Sequence, residues 1–179
     1  MNPNINHSLT KLVLTLGFTS ISIFVNTGIS EQIVFAKSIN VKKCNISAYV
    51  TDTDPQGLNV RSGISLRHKI LGQIPSNETV QIIASAKNWV QITNASAGFS
   101  GKGWVSVGKL GLSTRGYVNN GVNIYASANQ KSRKIGKVPA EVSVKLLGCQ
   151  GDWAQVEYQS IKGWLAKEDQ CGAALTTCS

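Results

Sequence analysis

The side chains in this sequence that are best suited to recognition are aromatic rings and one guanidinium. Trp89 and Trp153 each begin a stretch in which aliphatic and polar residues alternate, and Arg61 follows a similar stretch. An exposed indole ring can stack on a sugar or a peptide, and a guanidinium can donate two parallel hydrogen bonds to a carboxylate. These residues are candidates for contact with a ligand, although Arg61 would equally serve as a solvated charge on the surface. A role for the two tryptophans in a core and a role at a groove both remain open.

Groups that could perform acid–base or nucleophilic chemistry are scarce. A serine or cysteine nucleophile needs a base, and His68 lies alone in the polar stretch Leu66–Lys69. The carboxylates show no pairing in apolar surroundings that would tune one as an acid and another as a base. The sequence therefore predicts that the protein is not an enzyme and uses no cofactor.

The sequence also lacks a complete metal-binding motif of the kinds considered. Asp52–Gly57 resembles the start of a calcium-binding loop, but the twelfth position is Gly63 where such a loop needs a glutamate. The sequence contains no CxxC pair of the kind that holds zinc. We therefore expect an acidic turn closed by Pro55 and Gly57, and no metal site.

The cysteines predict disulfides in an oxidising compartment. There are four of them, Cys44, Cys149, Cys171 and Cys178. An even number in an exported chain makes disulfide bonding the default expectation. Three pairings are possible. A bond from Cys149 to Cys171 or Cys178 would close the C-terminal part on itself, whereas a bond from Cys44 to either of these would join distant parts of the chain.

The N-terminal segment has the pattern of a signal peptide. A lysine precedes an apolar run over residues 12–25, which is too short to span a bilayer. Val34–Ala36 supplies small or aliphatic residues before a cleavage point, so we predict removal of residues 1–36. Cleavage after Ser30 and retention as an uncleaved anchor are the alternatives. The protein is expected to be exported, periplasmic or extracellular, with no membrane span after cleavage.

The chain is basic, with 18 Lys and Arg against 9 Asp and Glu and a formal net charge of +9. Removal of the signal peptide deletes Lys11 and Glu31, so this charge is retained in the mature protein. A basic surface attracts polyanions through long-range forces that salt screens. For an exported protein these are anionic envelope polymers and not nucleic acid. The alternative is that the net positive charge only keeps the protein soluble.

The rest of the chain contains an internal repeat. The recurring segments are Leu58–Arg61 with Val122–Tyr125, Asn88–Ile92 with Asp152–Val156, and Gly103–Val105 with Gly163–Leu165. The first two pairs share one offset in the sequence and the third has a smaller one, so one hairpin is shorter in the second copy. Tyr49-Val50 aligns with Tyr117-Val118 at a larger offset, which predicts a shorter loop after the first strand of that copy.

Each copy is predicted to consist of short strands and tight turns. β-Branched and aromatic residues alternate with polar ones, between groups of Gly, Pro, Asn and Ser. About five short strands in about 60 residues suit a small barrel, because so small a sheet must curl to cover its apolar face. The predicted fold class is all-β, with two tandem small barrels behind a signal-peptide helix. Each barrel is expected to close around its own apolar side chains.

The motifs of the first copy resemble those of the bacterial SH3 (SH3b) domain family. They are Leu58–Gly63, Ile70–Gly72 before Pro75, Asn88–Ile92 and Gly103–Val105. The second copy keeps the glycine and tryptophan landmarks but has Tyr125-Ala126-Ser127 in place of Arg61-Ser62-Gly63. The resemblance implies an SH3-like barrel in each copy. The predicted division of the chain is a signal peptide over 1–36, barrels over 45–110 and 115–171 joined by Gly111–Gly116, and a tail over 172–179.

The resemblance also implies roles for individual residues. The predicted structural core includes Val60, Trp104, Ile124 and Trp164. The candidate ligand-binding residues are Tyr49, Arg61, Trp89, Tyr117, Tyr125 and Trp153. A large aromatic side chain in the core matters in so small a domain, which buries only about 60% of its unfolded surface.

The function that the resemblance implies is recognition of cell-envelope material. The expected ligand is peptidoglycan, its peptides or another anionic envelope polymer. The alternative is an adaptor that docks on an envelope protein. Two weak sites, one in each copy, would gain affinity when both engage a repetitive polymer.

Overall fold

The computed structural model describes residues 38–116, 121–174 and 178. The predicted signal peptide and Tyr117 lie outside the described residues. The chain from Lys37 onwards forms one compact unit. Among the residues that the structure describes, no helix has the length and apolar content that a membrane crossing needs.

Nearly all the regular secondary structure in the described part of the chain is β-strand. The strands are β1 Lys42–Val50, β2 Leu58–Arg61, β3 Ile70–Ile74, β4 Thr79–Ala86, β5 Trp89–Ala95, β6 Lys102–Ser106, β7 Leu110–Thr114, β8 Val122–Tyr125, β9 Lys134–Val138, β10 Ser143–Gln150, β11 Trp153–Tyr158, β12 Ile161–Leu165 and β13 Gln170–Cys171. Two short 3-10 helices, Val107–Lys109 and Lys167–Asp169, precede β7 and β13.

The two copies have the same strand order. The neighbours run β1-β4-β5-β6-β2-β3 in the first copy and β7-β10-β11-β12-β8-β9 in the second, so each strand has a counterpart six places later. β7 then pairs with β1, and β13 pairs with β7, which closes each copy in the same way. The predicted all-β fold with two SH3-like barrels is confirmed.

Strand β7 belongs to both copies. Gly111 pairs with Tyr49 in β1 on one side and with Lys145 in β10 on the other. The sheet therefore continues from one copy into the next. The segment Gly111–Gly116, which was predicted to be a connection, is for the most part this shared strand.

In the second copy β7 takes the place of β1. Ser113 pairs with Ser143 as Tyr49 pairs with Thr79, and both partners are displaced by the offset that relates the main landmarks of the repeat. The bond from Val50 N–H to the Glu78 carbonyl, at 2.9 Å, recurs as Thr114 N–H to the Val142 carbonyl, at 3.0 Å. Ser113 and not Tyr117 thus corresponds to Tyr49. The predicted alignment followed a recurring Tyr-Val pair, whereas backbone pairing sets the true register.

The core consists of aliphatic side chains that alternate along the strands. The fully buried ones include Val60 and Ile124, the two aliphatic core residues that the sequence predicts. The buried residues of both copies form one continuous cluster, through β1, β7 and β10. The expectation that each barrel closes around its own separate core is therefore wrong, and the reason is the shared strand.

Trp104 and Trp164 are not part of this cluster, contrary to the prediction. In β6 the buried positions are Gly103 and Val105, so the alternation of the strand turns Trp104 to the opposite face. A side chain at Gly103 would collide with Val60, and one at Gly163 would collide with Ile124. The inward positions must be glycine, and the indole rings lie half-buried on the outer face.

All four cysteines are paired, and one bond joins the two copies. Cys44 in β1 is bonded to Cys149 in β10, across 105 residues of sequence. Backbone bonds from Asn45 N–H to the Gly151 carbonyl, at 2.8 Å, and from Gly151 N–H to the Lys43 carbonyl, at 2.7 Å, flank this disulfide. The second bond, Cys171–Cys178, is local. The junction between the copies is thus fixed by strand pairing, hydrogen bonds and a covalent link.

Candidate ligand-binding grooves

Each copy presents one groove at the same place in its barrel. The groove lies between the first residue of β5 or β11, the long loop after β2 or β8, and the 3-10 helix. The first groove encloses about 140 Å³ and the second about 590 Å³. Trp89 lines the first and Trp153 the second. Duplication of the fold has therefore produced two surfaces with one half-buried indole each.

In the first groove, Arg61 organises the loop above the indole. Its Nη1 donates to the carbonyl of Leu66 at 2.9 Å and to that of His68 at 3.0 Å. Two carbonyls held by one guanidinium nitrogen fix the loop over residues 62–69. The side chain lines the groove, where contact with a ligand stays a prediction, and part of its donor capacity is used within the protein.

An ion pair forms the other side of the first groove. Lys109 Nζ, in the 3-10 helix, lies 3.0 Å from Asp52 Oδ1, in the loop after β1. The neighbouring Asp54 forms the expected acidic turn, because its carbonyl accepts from Gly57 N–H at 2.8 Å and its Oδ1 accepts from Gln56 N–H at 2.9 Å. Asp52 is therefore paired with Lys109 in the wall of the groove.

The second groove has a similar set of groups. Tyr125, which corresponds to Arg61, is buried and meets Trp153 edge-on, with 5.4 Å between ring centroids and 85° between planes. This edge-on contact helps to orient the indole ring. Lys167 Nζ lies 2.9 Å from Asp152 Oδ1. The structure thus brings together a tryptophan and a Lys–Asp pair in both grooves.

The pKa values of two carboxyl groups in the second copy are shifted by their surroundings, in opposite directions. Hydrogen bonds from Lys167 and then from the Asn45 amide, at 2.8 Å, hold the pKa of Asp152 below its ordinary value of 3.8. Burial raises the pKa of Asp169, and the neighbouring Glu168 raises it further. Asp152 is therefore ionised at neutral pH and is bonded to both copies at once.

Tyr49 lies away from the grooves, although the sequence predicts it as a ligand contact. It is only 8% exposed, and its hydroxyl lies 3.2 Å from Ser113 Oγ and 3.1 Å from Ser143 Oγ. Its ring packs over Gly111 in β7. Tyr49 is therefore part of the junction. Its proposed counterpart Tyr117 lies outside the described residues.

A third cavity, of about 310 Å³, lies at the junction of the copies. Its amides and hydroxyls already bond to one another: Ser47 donates to Gln81, Gln81 to Asn45, and Gln170 to two backbone carbonyls. It is lined by no aromatic side chain among the described residues. The two grooves, with their half-buried indoles, are therefore the better candidates for ligand binding.

Sequence reasoning missed the lysines and aspartates of the grooves. Lys109 and Lys167 come from non-equivalent positions of the two 3-10 helices, so the repeat does not reveal them. Asp52 was considered only in the stretch that resembles a calcium-binding loop, and it was assigned to an acidic turn. Within the described ranges, no group of three or more His, Cys, Asp or Glu side chains is placed to hold a metal ion.

Comparison with known proteins identifies the fold family. The family model for the bacterial SH3 domain matches residues 56–111 and again residues 120–169. A curated relative is YrvJ of Bacillus subtilis (strain 168), a protein named as an N-acetylmuramoyl-L-alanine amidase. It is 29% identical in an alignment 136 positions long, which covers 65% of this chain and 25% of YrvJ.

Two solved structures resemble the chain more distantly. NlpC2 from Trichomonas vaginalis is 14% identical, with 75% of this chain and 48% of that chain covered and a TM-score of 0.30. NlpC1 from the same organism is 15% identical, with 70% and 45% covered and a TM-score of 0.33. TM-scores this low do not establish a shared arrangement. The chain spans a quarter of YrvJ and less than half of each of these structures.

Proposed function

Because the chain belongs to the bacterial SH3 domain family, we propose that it is an exported, non-catalytic protein that binds peptidoglycan or its peptides through its two grooves. The observation that carries this proposal is the repeated groove. Each copy places a half-buried indole beside a Lys–Asp pair and the long loop that follows β2 or β8. Such a surface offers stacking, charge and hydrogen bonding to a short polar chain.

The similarity to YrvJ supports the choice of ligand class. That protein is named for action on an N-acetylmuramoyl-L-alanine bond, which belongs to peptidoglycan. In this chain the bacterial SH3 family model matches two segments, and the similarity to YrvJ covers 65% of the chain. Binding is the part of such a function that these domains would supply.

The paired arrangement supports binding to a repetitive polymer. The Cys44–Cys149 bond and strand β7 restrict how the two copies move relative to each other. A second site held at short range raises the effective concentration of ligand, so that two weak contacts give useful affinity. The net charge of +9 would add attraction to anionic wall polymers.

The direct test is sedimentation of the purified protein with protein-free sacculi at low and at high salt. We expect the protein to sediment with the sacculi in both conditions, with weaker binding at high salt because salt screens the charge contribution. Protein that remains in the supernatant at low salt would refute wall binding. Hydrolysis of the sacculi during the assay would refute the non-catalytic assignment.

An exposed apolar edge favours a second candidate, an adaptor that docks on an envelope protein. Leu66 is 74% exposed, and Ile70 and Leu71 at the outer strand β3 are each 45% exposed. The same edge in the second copy carries Lys134 and Lys137, which protect a strand from pairing. Retention by envelope extracts but not by protein-free sacculi would support this candidate.

A further inference from the structure

Ion pairs are few in the described part of the protein, and they are concentrated in the grooves. Three Lys–carboxylate pairs occur among the described residues. Lys109–Asp52 lies in the first groove and Lys167–Asp152 in the second, whereas Lys145–Glu157 lies across β10 and β11. Two of the three pairs therefore stand next to the two indoles that begin β5 and β11.

Descent from a common repeat does not explain this coincidence. When the two 3-10 helices are superposed in sequence, Lys109 corresponds to Asp169, and Lys167 corresponds to Val107. When Trp89 is aligned with Trp153, Asp152 corresponds to Asn88. The two grooves thus contain the same three groups, an indole, an ammonium and a carboxylate, although the charged groups come from unrelated positions.

The pairs remain accessible to a ligand. The side chains of Lys109 and Lys167 are 53% and 56% exposed, and that of Asp152 is 52% exposed. Asp52 is more covered, at 13%, and lines the wall of the first groove. An isolated ion pair on the surface contributes little to stability. Stability alone is therefore a weak explanation for the recurrence of such a pair in both grooves, even though Asp152 also accepts from Asn45 and so helps to join the copies.

A Lys–Asp pair is complementary to a ligand that carries both charges. Its Nζ and Oδ1 atoms are 3.0 Å apart in the first groove and 2.9 Å apart in the second. In an α-amino acid the ammonium nitrogen and the carboxylate carbon are two bonds apart, which is roughly 2.5 Å. When its ammonium lies beside the aspartate and its carboxylate beside the lysine, such a head group makes two charge-assisted hydrogen bonds. A ligand with only one charge would be attracted by one member and repelled by the other.

We propose that each groove binds the free head group of an α-amino acid, with its ammonium on the aspartate, its carboxylate on the lysine and its apolar stem against the indole. This inference rests on the proposed function, because it takes the grooves to be the ligand sites. The head group is either that of a free amino acid or one pendant on a wall peptide.

The test uses leucine, N-acetylleucine and leucinamide as probes and the indole N–H signals of Trp89 and Trp153 in NMR spectra as reporters. Leucine is expected to shift both signals in a saturable way. N-acetylleucine lacks the ammonium and leucinamide lacks the carboxylate, so each is expected to bind roughly tenfold more weakly, as the loss of one charge-assisted bond implies. The signals of Trp104 and Trp164, which do not line the grooves, serve as internal references.

Variants in one groove separate the contributions. Lys109→Gln is expected to abolish the preference for leucine over leucinamide at Trp89, and Asp52→Asn the preference for leucine over N-acetylleucine. The response of Trp153 should stay unchanged in both variants, which also shows that they are folded. Lys145→Gln alters the ion pair outside the grooves and should change neither response.

Equal binding of the three probes, or no shift of either indole by leucine, would overturn the inference and leave the ion pairs a purely structural role. Sacculus binding is measured separately, so the protein can fail this test and still bind the wall. Displacement of the protein from sacculi by leucine would assign the head group to a wall peptide. Probe binding without displacement would assign it to a free amino acid.

Discussion

Corresponding residues of the two copies perform different tasks. Arg61 holds the loop of the first groove through two carbonyls, whereas Tyr125 at the same position packs edge-on against Trp153. Lys42 of the first copy lies 5.4 Å from the ring centroid of Trp164 in the second, where a cation–π contact crosses the junction. Side chains have therefore diverged while the strand order has been kept.

The sequence shows which residues are important more readily than it shows the role of each one. The sequence indicates that tryptophans matter, but the assignment of Trp104 to the core failed. The inward glycine that forces the ring outward is recognised only when its neighbour Val60 is seen. Tyr49 was misassigned for a similar reason, because its hydroxyl partners Ser113 and Ser143 are distant in sequence.

Asp152 gives a prediction at the scale of one residue. Its pKa is lowered in the folded protein. At a pH near 3.8, the ordinary pKa of the group, Asp152 therefore binds fewer protons in the folded protein than in the unfolded chain. The stability that it contributes is present above that pH and is lost as the pH falls through the lower, folded-state pKa. Asp152→Asn is therefore expected to reduce the free energy of unfolding at neutral pH. This difference from wild type should vanish in strong acid, as measured by urea unfolding across pH.

Lys167→Gln is the matched variant, because it removes the first partner of the same carboxylate. It should show the same pH dependence. A deficit in Asp152→Asn that persists unchanged below the folded-state pKa would contradict the assignment.

At the scale of strands, the pattern of buried and exposed positions was predictable, but the pairing register was not. The alternation in β5 and β11 identifies them as strands, and the landmarks around Trp89 and Trp153 align correctly. Strand β7 was not predicted, because most of it lies in the segment Gly111–Gly116, which was taken for a connection between the repeats. Its partners in β1 and β10 come from both sides of the chain, and sequence periodicity does not specify partners.

Gly103 provides a prediction for β6. Alanine at this position would bring a methyl group against Val60 and the Arg61 carbonyl in a closed barrel. We expect Gly103→Ala to lower the free energy of unfolding by about 1–3 kcal/mol, the usual cost of overpacking. Gly108→Ala is the control, since no atom lies within 4 Å of a side chain added there. Urea unfolding of both variants provides the measurement, and equal loss in both would contradict the packing argument.

At the scale of the whole molecule, the two copies form one continuous structure and not two independent domains. They share β7, one apolar cluster and a disulfide. The repeat in the sequence predicts the number of barrels, but it contains no information on how they associate. Among the three cysteine pairings left open, the structure selects the one that joins β1 to β10 and closes the tail locally.

The disulfides give a prediction at this scale. Cys44→Ser with Cys149→Ser removes a cross-link over 105 residues, and Cys171→Ser with Cys178→Ser removes one over 7 residues. A longer loop loses more unfolded-state entropy when it is closed, so the first pair should cost more, about 2–4 kcal/mol. Denaturant unfolding of the two double variants measures the difference. A larger loss in the tail variant would show that the junction bond is not the main staple.

The claim on which the rest depends is that the two grooves act together on a repetitive wall ligand. The most direct measurement is the affinity for protein-free sacculi of wild type, Trp89→Ala, Trp153→Ala and the double variant, with Trp104→Phe as the control outside the grooves. If the grooves act together, each single variant retains one weak contact and loses roughly 10² in affinity. The double variant should lose binding beyond its charge contribution, while the control keeps wild-type affinity. Wild-type affinity in the double variant would contradict the account.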